Sequence, residues 1–240
     1  MRMIGYVTSG YKSIKGSVEV ARNFIRGGCD MLEISLPLIN NREAPYLSDL
    51  MKQAITAYPD YDAHLEGIRQ IRKEHPEINV TILLYNEVAV TIGAEKLAEF
   101  CKKNGIHDVN SPDLSDPHVR KVFAEYGIHE AGLILYTPDE KRLRHAQDTD
   151  GFVYMQAFPR EGQELTPGMD TPAGLIRYIR ENGIKNPIYC GGGIRTAEDV
   201  RTLQEAGADG FFLGTSLLKL CDEPEKFVET VRMFKAAIKP

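Results

Sequence analysis

The sequence predicts a single (β/α)8 TIM barrel spanning residues 1–240, and three observations predict it. Short β-branched or apolar runs alternate with longer segments of helical period from the first residues to the last. Eight runs of each kind can be counted. A chain of 240 residues, 42% hydrophobic and 26% charged, matches the usual size of one such barrel, whereas an open doubly wound sheet of that width normally needs more residues.

The elements follow in order. The first strand, Met3–Val7, precedes a helix over Ser17–Arg26, with Ser17 placed to cap it and Gly27 free to take positive φ behind it. The second strand, Met31–Ser35, is followed by a long connection, Leu36–Tyr61, and a helix over Asp62–Glu74. Strands at Val80–Tyr85 and Ile106–Asn110 bracket a helix over Ala94–Asn104, which Gly105 ends. Asp116 caps the next helix, to Tyr126, and Gly127 terminates it. A fifth strand, Ala131–Tyr136, leads to a helix over Asp139–Ala146, and a sixth, Phe152–Gln156, to a second long connection, Ala157–Asp170. A helix over Thr171–Asn182 ends at Gly183, and Pro187–Cys190 forms the seventh strand. Thr196 caps the helix Ala197–Ala206, closed by Gly207; Gly210–Leu213 is the eighth strand, and Glu225–Ile238 the last helix. Both long connections leave strand C-termini, the face where barrel active sites are built, so both read as lids.

Composition narrows the partners. With 29 basic and 34 acidic residues the chain carries a formal charge of -5, which leaves no positive surplus for nucleic acid or anionic lipid. No stretch approaches the roughly 20 apolar residues that span a bilayer, and the N-terminus lacks the h-region of a signal peptide. Cys29, Cys101, Cys190 and Cys221 are far apart and form no C-x-x-C pair, and the six histidines show no ligand spacing. The expectation is a soluble cytoplasmic protein with no metal site.

Two ends of a site can be read from the residues. Cys190-Gly191-Gly192-Gly193-Ile194-Arg195-Thr196 leaves the seventh strand through a glycine turn, and Gly214-Thr215-Ser216-Leu217-Leu218 follows the eighth as a short extra helix. Glycines let backbone donors approach an anion, and a helix N-terminus favours one, so paired turns here predict a phosphate site. Arg195, immediately before a cap, is expected to face solvent. At the other end, Glu33 sits in an apolar strand near its C-terminal end, where burial raises a carboxyl pKa towards neutrality and suits it to proton transfer. Glu130, at the start of the fifth strand, lies on the opposite face and receives no catalytic role. None of the eight strands contains lysine, which argues against Schiff-base chemistry. Asp113 either lines the mouth or caps a loop.

The pattern resembles the tryptophan synthase α subunit family over nearly the whole chain. The resemblance is carried by Gly5-Tyr6-Val7-Thr8-Ser9-Gly10, Leu32-Glu33-Ile34-Ser35-Leu36-Pro37, Leu83-Leu84-Tyr85-Asn86, Pro112-Asp113-Leu114, Gly151-Phe152-Val153-Tyr154 and the two closing glycine runs. It implies retro-aldol cleavage of indole-3-glycerol phosphate to indole and glyceraldehyde 3-phosphate, without a cofactor. By the same resemblance Glu33 is the acid–base residue, Glu43 stands at the second carboxylate and Tyr154 lines the site. Tyr6, Leu47 and Leu83 match apolar pocket positions, and Tyr85 and Asp113 fall in matching segments. Gly192, Gly193, Gly214 and Thr215 match the phosphate turns. The family's lid motif is replaced by Arg160–Gly168, in which Thr166 and Gly168 are the counterparts. The family also implies a tryptophan synthase β subunit as partner, although Pro37-Leu38-Ile39-Asn40-Asn41 departs from the family's pattern in the loop that carries this signal. The other readings are a barrel acting on a different phosphorylated substrate and a non-catalytic relative that only binds one.

Overall fold

The computed structural model describes residues 1–41, 45–137 and 139–239. In chain order the elements are β1 (Arg2–Thr8), α1 (Ile14–Arg26), β2 (Met31–Ser35), α2 (Pro45–Ala57), α3 (Tyr61–Glu74), β3 (Asn79–Leu83), α4 (Asn86–Ile92), α5 (Ala94–Lys103), β4 (Asp108–Asn110) and α6 (Pro117–Glu125). They continue with β5 (His129–Glu130), β6 (Gly132–Ile134), α7 (Glu140–Asp148), β7 (Val153–Gln156), α8 (Pro172–Glu181), β8 (Ile188–Gly191), α9 (Ala197–Glu205), β9 (Gly210–Leu213), α10 (Thr215–Leu218) and α11 (Pro224–Ala236). The strands form one parallel sheet in the order β5-β4-β3-β2-β1-β9-β8-β7-β6.

Nine segments fill eight barrel positions, because the expected fifth strand divides at Ala131. His129–Glu130 pairs with β4 and Gly132–Ile134 with β7. Between them Ala131 N donates to Val109 O at 2.8 Å and Gly132 N to Phe152 O at 3.0 Å, so the chain passes from one neighbour to the other within a single residue. That crossing joins the two ends of the sheet and makes the fold a (β/α)8 barrel.

Alternation along the strands separates two apolar layers. Ile4, Met31, Ala131, Phe152, Tyr189 and Phe212 pack on one another inside the barrel, with Tyr154 against them. Outward residues such as Met3, Val7, Leu32, Ile34, Ile82 and Val109 join the larger core beneath the helices. Gly132 has no side chain because α7 lies directly over it: a Cβ there would meet the Ala146 Cα at 2.9 Å.

Several boundaries differ from the sequence reading. The cap of α1 is Ser13, whose hydroxyl accepts from Gly16 N, and the helix starts three residues earlier than expected. Ser17 instead donates to Ile14 O and accepts from Gly10 N, so a residue read as a cap anchors the loop before it. Gly27 keeps a helical φ of -76°, and positive φ passes to Gly28 at 93°. Gly105, Gly127, Gly183 and Gly207 do have positive φ, and Asp116 and Thr196 do cap. Two helices, α2 and α4, occupy segments without a predicted helix. The run Asn-Glu-Val-Ala-Val-Thr-Ile of α4 is rich in β-branched residues that disfavour helix, yet burying Val88, Ala89 and Ile92 on one face outweighs that preference.

Gly132→Ala should therefore destabilise the barrel at its seam. The contact with α7 involves backbone, which cannot rotate away, so a loss of about 1–3 kcal/mol is expected, measured by urea unfolding with an unchanged m value. A stability equal to or above wild type would show that α7 is not held against β6 as described.

Candidate active site

Glu33 is the middle residue of β2, two before its C-terminal end, in a strand buried along its whole length. Register sets it beside Tyr6 of β1 and Thr81 of β3, and alternation directs all three into the barrel above the Ile4 and Met31 layer. Its carboxylate is 3% exposed, and Oε1 accepts a hydrogen bond of 2.8 Å from Asn110 Nδ2 of β4. Such a bond to a charged group is worth about 1.5–3 kcal/mol and offsets part of the cost of burying it. It ties the carboxylate to the end of β4.

Three of the four residues in the row above this layer on β1 to β4 are polar. Thr8, Ser35, Leu83 and Asn110 are successive register partners and form the next inward row. Thr8 Oγ1 donates to the Tyr6 hydroxyl at 3.3 Å. Gln156 of β7 donates to Phe158 O and to Gln163 Oε1, both at 2.9 Å, and Arg160 N donates to the same Gln163 oxygen, which ties the 157–170 loop to the strand beneath it.

Tyr154, two residues before Gln156, stacks on Phe212 with ring centroids 5.1 Å apart. Its ring occupies the space a side chain at 191 would take, since a Cβ on Gly191 would lie 2.2 Å from the Tyr154 hydroxyl. Gly192 and Gly193 then turn with φ of 88° and 85° and are exposed. Behind them Thr196 and Asp199 form a capping box, with Asp199 accepting from Arg195 N and Thr196 N. The second turn is adjacent: Gly214 borders Tyr6, 3.5 Å from the nearest atom to where its Cβ would be, and α10 starts at Thr215. The first N–H groups of a helix have no acceptor within it. Tyr6 thus touches the second turn on one side and neighbours Glu33 on the other.

The other predicted residues fall around this corner. Leu83 is 7% exposed, Tyr85 is buried at the N-terminus of α4, and Leu47 is half-buried in the first turns of α2. Asp113 Oδ1 accepts from Asn86 N at 2.9 Å, while Asn86 Oδ1 accepts from Ser115 N and Asp116 N, so this pair binds the loops after β3 and β4 together. Thr166 is exposed in the 157–170 loop, where its carbonyl accepts from Met169 N. Glu43 lies outside the described residues. Burial pushes the Cys29, Cys101 and Cys190 thiols up to about 12, which leaves them poor nucleophiles.

Sequence reasoning missed Asn110, Gln156 and Ser35. Each is a polar residue ending a strand at the inward parity, a signal that was available once the strands were aligned. His64 was also missed, and its signal is tertiary. Fully buried on α3, its Nε2 faces the Tyr58 carbonyl at 2.8 Å, so Nε2 carries the proton and Nδ1 accepts from the Ser9 hydroxyl at 3.0 Å. This couples the loop after β1 to the segment between α2 and α3. Gly10, with φ 79°, makes room for it, since a Cβ there would meet the imidazole at 2.7 Å.

At the opposite face are two cavities of about 390 and 320 Å³, both bordered by His129 and Asp150. Burial raises the Glu130 carboxyl there, against the opposing pull of His145 and Arg120 at 3.5 and 3.3 Å. This is the end of the barrel away from Glu33.

Fold and mouth together define the class: a (β/α)8 barrel with the buried Glu33 carboxylate inside it and two glycine turns after β8 and β9, at the C-terminal ends of its strands. A family model for the tryptophan synthase alpha chain matches residues 1–239. The chain belongs to the tryptophan synthase alpha chain family. It is 28% identical to the tryptophan synthase alpha chain of Corynebacterium diphtheriae, over 91% of this chain and 81% of that one. With the alpha chain of Bacteroides thetaiotaomicron it shares 25% over 98% and 93%. Its fold matches the crystal structure of the Legionella pneumophila alpha chain with a TM-score of 0.83 at 22% identity, covering 99% and 91% of the two chains. It matches a chain of the tryptophan synthase complex from Pyrococcus furiosus with a TM-score of 0.83 at 18% identity, covering 98% of each. Among the described residues no helix is long and apolar enough to cross a membrane.

Burial of His64 predicts a pH-dependent stability. Burial holds the imidazole below its ordinary pKa of 6.5, so the folded protein keeps it neutral where the unfolded chain takes up a proton. His64 therefore supports the fold above pH 6.5, and that support is lost as the pH falls below it. The Tm of wild type should drop between pH 7 and 5 more steeply than that of His64→Gln; parallel profiles would exclude His64 as the source.

Proposed function

We propose that this chain is a carbon–carbon lyase that cleaves indole-3-glycerol phosphate to indole and glyceraldehyde 3-phosphate without a cofactor. The observation that carries the reading is the buried, hydrogen-bonded Glu33 beside Tyr6, which itself borders the Gly214 turn. A retro-aldol cleavage needs two proton movements. Indole C3 gains a proton, and the hydroxyl on the neighbouring carbon loses one; the bond between the two carbons then breaks, its electrons return to the ring, and the hydroxyl carbon leaves as an aldehyde. Glu33 is the group suited to these transfers, and Asn110 holds its carboxylate in one orientation. Glu43 is proposed as acceptor for the indole N–H. Tyr6, Leu47, Leu83, Tyr85 and Tyr154 would enclose the ring.

The phosphate would be held by backbone N–H groups at Gly192 and Gly193 and at the start of α10, where Gly214 and Thr215 stand. Asp113 and Thr166 would border the bound substrate from the loops after β4 and β7. Because Glu33 is only 3% exposed, a substrate reaches it by displacing the groups that cover it, and renewed closure would exclude water. A tryptophan synthase β subunit is the proposed protein partner.

A second reading has one observation in its favour. Asn110 and Gln156 put polar groups at the barrel mouth, which suits a phosphorylated substrate with a more polar reacting end than indole. Purified protein should release indole from indole-3-glycerol phosphate, with and without a β subunit. Glu33→Gln should lower kcat by about 10²–10⁴-fold while Tm stays near wild type. No release by wild type above background would eliminate the lyase activity and leave the second reading, which a panel of phosphorylated substrates would test.

A further inference from the structure

Ser35 ends β2 two residues beyond Glu33, and strand alternation turns both side chains into the barrel. It is fully buried, and its Oγ has no hydrogen-bond partner among the described residues. The rest of its row is occupied: Thr8 bonds to Tyr6, Asn110 bonds to Glu33, and Leu83 is apolar. The Ser35 backbone is also engaged, since its carbonyl accepts from Ser9 N at 3.0 Å. An unpaired buried hydroxyl lowers stability, and alanine would fill the same space without that cost. Its location gives the hydroxyl a use. Gly214 borders Tyr6, Tyr6 neighbours Glu33, and Thr8 and Ser35 stand directly above that pair.

A ligand with its phosphate at the Gly214 turn and its reacting carbon at Glu33 would pass its intervening chain beside Tyr6, under Thr8 and Ser35. We infer that Ser35 is a specificity-determining residue that hydrogen-bonds a hydroxyl on the carbon chain between the substrate's phosphate and its reacting end. The inference rests on the proposed positions of phosphate and reacting carbon, but it needs no turnover and is independent of the aromatic part of the substrate.

The test is calorimetric, on the full chain, with glycerol 3-phosphate and inorganic phosphate as separate probes. Wild type should bind glycerol 3-phosphate more tightly than phosphate. Ser35→Ala should weaken glycerol 3-phosphate by roughly three- to tenfold, the worth of one neutral hydrogen bond, leave inorganic phosphate unchanged, and keep Tm at or above wild type. Ser111→Ala serves as control: it removes another unpartnered buried hydroxyl, one residue past the end of β4 and outside the row above Glu33, and should alter neither affinity. Unchanged affinity for glycerol 3-phosphate in Ser35→Ala, an equal loss for both probes, a lowered Tm, or a wild type that does not bind glycerol 3-phosphate would each overturn the inference. The lyase reading fails separately, on absent indole release.

Discussion

Parallel pairing with a common register is the constraint on which the rest of this molecule depends. Once Gly5 of β1 pairs with Leu213 of β9 and Tyr6 pairs with Glu33 of β2, the parity of every inward side chain is set around the barrel. A slip of one residue would turn Glu33 out among the helices and Ile34 into the mouth. The large outward core, including Leu32, Ile34, Ile82 and Val109 packed beneath helices, makes such a slip costly. Precision at the site is therefore supplied by hydrophobic burial on the other side of the sheet.

Inside the barrel, polarity changes with height. The lower layer of Ile4, Met31, Phe152 and Phe212 is apolar, while Glu33, Asn110, Thr8, Ser35 and Gln156 crowd the C-terminal ends. Buried polar groups are tolerated where they bond to one another, as Glu33 and Asn110 do, or where a ligand completes them. The loops above are tied down by side chains rather than by regular structure: His64 holds the first, the Asp113 and Asn86 pair joins those after β3 and β4, and Gln156 with Gln163 secures the segment after β7. A mouth assembled in this way couples neighbouring loops and keeps their groups in position.

Much of this was legible in the chain. The alternation of elements, the glycine turns and a lone carboxylate in an apolar strand are local patterns, and they led to the barrel, Glu33 and Gly193. Other features were not. The helix α4 is rich in β-branched residues that favour strand, and Ser17 is a cap-forming residue type at a position inside the helix. Asn110 and Ser35 looked unremarkable because their meaning lies in lateral register, which no single strand contains.

Sequence alone determined the eight-fold alternation, the family resemblance and the identity of the buried acid, because hydrophobic period and glycine placement act over a few residues. Only the folded chain decided that the fifth strand breaks at Ala131 to join both neighbours, that Asn110, two strands away, hydrogen-bonds Glu33, and that the Ser35 hydroxyl has no partner among the described residues. Those outcomes depend on contacts between strands many residues apart, and they are set by closure of the barrel as a whole.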